Sequence, residues 1–193
     1  SASYQRGFFN AEAGALLATA RAGNVVGGGD WSDDRLIPDL VRAVCEHKSL
    51  EIRSPNATRP WQHVLESLSG YLLLGQKLLM GYREVVGPWN FGPQIKDNLT
   101  VVAVLKKLNK AWTDIKWHEI TSPQPYESRL LHLDSNKAHI KLNWQPVWNI
   151  DHTIKQTVDW YKQWLHGGNV ISKEQLASYL ADASYAKIEW TNP

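Results

Sequence analysis

The stretch that most restricts the possible folds runs from Arg21 to Pro38. A run of small and apolar residues, 15–22, leads into it and ends at Gly23 and Asn24. That run has no helical period and reads as a strand buried on both faces. Gly27, Gly28 and Gly29 follow, then Asp30, Trp31, Asp33, Asp34 and Arg35. Asp33 or Asp34 is suited to cap a helix, with Pro38 tolerated in its first turn. Ile37, Leu40, Val41 and Val44 recur at helical spacing. The order is therefore strand, glycine turn, polar cluster, helix. In open α/β sheets ligands sit beyond the carboxyl ends of such strands, where Asn24, Asp30, Trp31 and Arg35 would project. The glycine run is not a dinucleotide fingerprint, because three aspartates separate it from the helix that a fingerprint would open. Read as residues alone, it serves equally as a turn or as a ligand site.

Elsewhere strands alternate with helices, which implies a mostly parallel sheet and an α/β fold. Residues 50–53 and 115–120 read as strands. Leu65, Leu68, Leu72 and Leu79 mark one face of a helix, with Glu66 near its start suiting the helix dipole. Thr100 caps a helix carrying Val101, Val104, Leu105 and Leu108. Asp134 and Asp151 cap two more, the second with Ile154, Val158, Tyr161 and Leu165 inward. Residues 126–133 read as extended. The opening, 1–10, resembles the end of a helix. Ser172 and Gln175 form a capping box for a short last helix. The expected division is 1–165, with a small helix-rich lobe beside the sheet, and 166–193, an appended tail.

With 193 residues and a net charge of +2, the chain carries no electrostatic footprint for nucleic acid. Cys45 is the only cysteine, which favours a reducing compartment. No apolar run is long enough to span a bilayer. The seven histidines show no metal-ligand spacing, so no metal is expected. Ten tryptophans are many for this length; aromatic excess serves core packing more often than sugar stacking.

Several segments together resemble the extended short-chain dehydrogenase/reductases that act on nucleotide-diphospho-sugars. They are residues 21–31, 35–39, 59–64, 69–74, 89–93 and 133–144. The Gly-Gly-Gly-Asp-Trp and Arg-Pro-Trp-Gln-His-Val pieces point to the dehydratase branch. The resemblance covers about residues 3–165 and implies the carboxyl-terminal part of a Rossmann-like fold. The family's glycine loop for NAD is missing, as is its acid/base segment. No tyrosine of the seven has lysine four residues on. The chain is thus expected to begin just after the catalytic lysine, and to bind nucleotide sugar without catalysis or tight NAD binding.

By resemblance, Asn24 bonds the diphosphate through its amide and Arg59 clamps it with a planar fork. Arg35, Leu36 and Ile37 line the nucleotide site. Glu127 or Arg129 lies near the ribose, and Asp30 and Trp31 border the sugar. No catalytic residue is expected here. The intact family enzyme uses a tyrosine as base while hydride passes from C4 of the sugar to NAD. Water is then lost across C5 and C6, and hydride returns to C6. The expected partners are a nucleotide-diphospho-sugar and further copies of the chain, in the cytoplasm, for deoxysugar biosynthesis. Other readings stay open: another sugar-nucleotide dehydratase, epimerase or reductase; a non-catalytic carbohydrate or nucleotide module using exposed tryptophans; or an α/β interaction domain.

Overall fold

The computed structural model describes residues 7–9, 14–120 and 131–191. Parallel pairing dominates it. Strand β1 (Ala18–Ala22) pairs with β5 (Gly87–Phe91), from Ala18 opposite Gly87 to Ala22 opposite Phe91. Strand β2 (Asn24–Val26) lies parallel to β4 (Thr58–His63), whose other edge takes β6 (Asn98–Thr100) antiparallel. Strand β3 (Leu50–Ile52) lies parallel to β7 (Trp117–Glu119). Crossovers between parallel strands need helices. These are α1 (Leu36–Cys45), α2 (Val64–Leu79) and α3 (Val101–Ala111), followed by α4 (Asn136–Leu142), α5 (Ile150–Gly167) and α6 (Ser172–Tyr185).

Two apolar cores result. The larger joins Leu40 and Val41 of α1, Trp61 of β4, Leu105 of α3 and Ile154 and Trp160 of α5. The smaller gathers Leu73 and Leu74 of α2 with Trp89, Phe91 and Trp144. Six tryptophans, Trp61, Trp89, Trp112, Trp144, Trp148 and Trp160, are buried in all. Trp31 and Trp164 are exposed.

Several local expectations are corrected. The run before Asn24 is not buried on both faces: Ala20 and Arg21 of β1 are exposed, and among the described residues β1 has a neighbour on one edge only. Helix α1 is entered from Arg35 with no side-chain cap, because Asp34 adopts a left-handed conformation (φ 58°) one residue too early. Asn149, rather than Asp151, caps α5 by accepting the His152 N–H at 3.0 Å. Ser135 rather than Asp134 is the cap position of α4. Ile171 precedes α6, and the Ser172 hydroxyl accepts the Trp160 indole N–H at 2.9 Å instead of capping. Thr100 does cap α3, accepting from the Ala103 N–H at 3.2 Å.

The largest departure is α2. Leu68, Leu72 and Leu79 face outward, at 44%, 74% and 91% exposure. The buried side is Glu66, Ser67, Gly70, Leu73 and Leu74. Glu66 is fully buried and accepts the N–H groups of Val147 (2.9 Å) and Trp148 (2.6 Å) and the Tyr179 hydroxyl (2.9 Å). The tail is accordingly no loose appendage: α6 spans 14 residues, and Tyr179 and Ala183 are buried. Burial pushes the Glu66 carboxyl up to about 7, against the pull of its three donors. His63, also buried, caps α2 by accepting the Leu65 N–H at 3.3 Å, and burial pushes its imidazole down to about 4.

Candidate functional site

The register of β2 on β4 builds the site. Asn24 stands opposite Trp61 in a parallel ladder. Side chains alternate along a strand, so Arg59, two residues before Trp61, shares its face. Two residues advance a strand by about 7 Å. A carboxamide and a guanidinium distant in sequence therefore open on one face at short range. Both line a single cavity of about 630 Å³.

Most of the rest of that cavity comes from the chain between β2 and α1 and from the first turn of α1. Asp30, Arg35, Leu36 and Ile37 line it, as expected from the sequence. Gly27, Ser32, Asp34, Pro38, Trp61 and Val101 line it too and were not among the expected site residues. The signal for Ser32, Asp34 and Pro38 lay in their sequence neighbours; for Trp61 it lay in its two-residue offset from Arg59. Trp31 does not line the cavity. Its ring packs on Tyr161 (centroids 5.4 Å apart) and Trp164 (4.7 Å). Glu127 and Arg129 lie outside the described residues.

The glycine run is explained by packing. A Cβ on Gly28 would stand 1.9 Å from Cγ of the buried Trp160, so only glycine lets the chain cross that ring. Gly29 takes φ +79°, a left-handed conformation that a side chain resists.

Electrostatically the cavity suits an anion. Arg35 and Arg59 supply fixed positive charge. The first turn of α1 lines it with amide groups that no side chain caps. The Asn24 amide adds two further donors. The carboxylates of Asp30 and Asp34 work the other way. Asp30 Oδ1 is engaged by the Ser32 N–H at 3.0 Å. The Arg59 Nη1 donates to the Thr58 carbonyl at 3.0 Å, which steadies the head group on its own strand. No group of three or more metal-ligating side chains occurs among the described residues.

The fold is that of the Rossmann-like extended short-chain dehydrogenase/reductases, and solved structures share it. A UDP-glucuronic acid 4-epimerase from Bacillus cereus, in complex with UDP-glucuronic acid and NAD, matches with a TM-score of 0.68 at 18% identity. The match covers 84% of this chain and 48% of the epimerase. A dTDP-glucose 4,6-dehydratase from Bacillus anthracis, in complex with NAD, matches with a TM-score of 0.64 at 20% identity, over 83% of this chain and 48% of that one. In sequence the chain is a homologue of the CDP-glucose 4,6-dehydratase of Salmonella typhimurium, 38% identical over 188 residues. The match covers 94% of this chain and 52% of that protein, so the chain spans about half the length of the relatives it matches. No protein-family model matches the chain.

Proposed function

We propose that the chain is the nucleotide-sugar-binding portion of a CDP-glucose 4,6-dehydratase. The whole enzyme would convert CDP-glucose to CDP-4-keto-6-deoxyglucose, a lyase reaction. The observation that carries this reading is the meeting of Asn24, Arg35 and Arg59 on one cavity. A diphosphate bridge there would take the Arg59 fork, the Asn24 amide and the free amides of α1. Leu36 and Ile37 would bound the nucleoside, and Asp30 the sugar; Glu127 or Arg129 would reach the ribose. Residues 1–165 carry the binding function, and 166–193 brace it through the contact of Tyr179 with Glu66.

NAD would belong to the whole enzyme and supply its hydride transfer. The residues present here do not fit it. The glycine run lies across Trp160 and does not open α1, and α1 begins seven residues after Gly29, at Leu36. This chain alone should therefore bind nucleotide sugar weakly, hold no NAD tightly and catalyse nothing. A cytoplasmic site of action and self-association complete the proposal. No helix among the described residues is long and apolar enough to cross a membrane.

A carbohydrate module would carry its tryptophans in a shallow open groove. Burial of six of the ten speaks against it. Calorimetric titration with CDP-glucose, UDP-glucose and dTDP-glucose tests the reading. CDP-glucose should bind most tightly. Equal affinity for all three would leave only a general nucleotide-sugar site, and no binding at all would remove the proposal.

A further inference from the structure

Three consecutive carbonyl oxygens in the loop beside the cavity are each held by a side chain from elsewhere. The Tyr161 hydroxyl, on α5, donates to the Asp30 carbonyl at 2.6 Å. Arg42, on α1, donates from Nη1 to the Trp31 carbonyl at 3.0 Å and from Nη2 to the Ser32 carbonyl at 3.2 Å. The Arg42 head is itself fixed by Asp39 and by Asp33, the latter at 3.3 Å. Aromatic contacts complete the grip, with Trp31 packed edge-on to Tyr161 and Trp160 lying under Gly28. Asp30 and Ser32, on either side of Trp31, line the cavity.

A loop with three unsatisfied carbonyls beside an anion site would be free to turn a partial negative charge toward the ligand. Here all three oxygens are committed to donors. Tyr161 is buried, at 1% exposure, and its phenol is pushed up to about 12, so it stays a donor across the working pH range. Nothing in its sequence position, inward on a helix 131 residues beyond Asp30, announces this contact.

We propose that Tyr161 is a positioning residue for the diphosphate cavity: its hydroxyl holds the Asp30 carbonyl and so sets the wall formed by Asp30 and Ser32. The inference rests on the nucleotide-sugar reading above. It predicts that the effect of Tyr161 is felt by the diphospho-sugar part of the ligand and not by the nucleoside.

The test is Tyr161→Phe in the full chain, which keeps the ring against Trp31 and Trp160. CDP-glucose and cytidine are titrated against both proteins, and amide exchange is followed across the loop. One neutral hydrogen bond corresponds to a factor of about three to ten in an equilibrium. CDP-glucose should bind about three- to tenfold more weakly to the variant, cytidine should bind as before, and exchange at residues 30–35 should quicken. Unchanged CDP-glucose affinity, or equal weakening of both ligands, would overturn the proposal. If the unaltered chain binds neither ligand, the nucleotide-sugar reading falls by itself. Amide exchange then decides for Tyr161: faster exchange confined to the loop upholds its hold on the wall, and unchanged exchange ends it.

Discussion

Replacing Glu66 by glutamine should change how stability depends on pH. The Glu66 carboxyl moves from its ordinary 4.5 up to about 7 in the folded chain, chiefly because burial disfavours its charge. The folded state therefore holds this proton more tightly than the unfolded chain. The resulting stabilisation is complete below about pH 4.5 and is lost as pH rises through about 7. At about 1.4 kcal/mol per pH unit, the shift amounts to about 3 kcal/mol. His63 acts with the opposite sign: depressed from 6.5 to about 4, it contributes stability that is lost as pH falls between those values. The two slopes oppose one another between pH 4.5 and 6.5, so the unaltered chain alone would show little. The difference between the two proteins isolates Glu66, since His63 is common to both. Glutamine keeps the shape but sets an amide NH₂ against one of the two backbone donors, Val147 or Trp148, a pH-independent cost of about 1–3 kcal/mol. Urea unfolding at half-unit steps from pH 4.5 to 8.5 gives the measurement. The stability of the unaltered chain minus that of Glu66→Gln should fall by about 3 kcal/mol across the range. A flat or rising difference would refute the reasoning.

Three further outcomes follow from the packing. Gly28→Ala puts a methyl group against the buried Trp160 ring and should destabilise the chain by about 1–3 kcal/mol, read as a lower urea midpoint; an unchanged midpoint would contradict the close crossing. Thr100→Ala removes the cap on α3 and should cost about 1 kcal/mol in the same assay, with no loss indicating that another group replaces it. The outward leucines of α2 form an apolar stripe, and the chain should self-associate in light scattering at high concentration. Leu72→Lys with Leu79→Lys should reduce that association, and a strictly monomeric unaltered chain would count against it.

What could be read from the residues, and what could not, divides along physical lines. The α/β class was legible because apolar periods switch between strand and helix along the chain. The gathering of Asn24, Arg35 and Arg59 was legible through resemblance, and the β2–β4 register gives its geometric reason. The orientation of α2 was not legible, since leucine occupies several sides of it. The close fit of Gly70, where a Cβ would come within 2.2 Å of the Phe91 ring, selects the inward side. Glu66 read as a charge suited to a helix start because its partners, Trp148 and Tyr179, lie 82 and 113 residues away. The tail read as an appendage because α6 has a weak apolar face, and polar contacts add to the burial of Tyr179 and Ala183 in holding it. Gln175 donates to the Gln156 carbonyl at 2.6 Å, and Trp148 Nε1 donates to Asp182 at 2.7 Å. Helix caps failed where a left-handed residue such as Asp34 shifted the entry by one position.

Binding of a diphosphate here depends on the pairing of a carboxamide and a guanidinium across β2 and β4. Its most direct test is the affinity of CDP-glucose for the unaltered chain, for Arg59→Lys and for Asn24→Ala. Lysine preserves the charge but not the two-pronged geometry, so Arg59→Lys should bind at least about tenfold more weakly, and Asn24→Ala about fivefold more weakly. Affinity unchanged by both substitutions would contradict the claim that these two side chains hold the diphosphate.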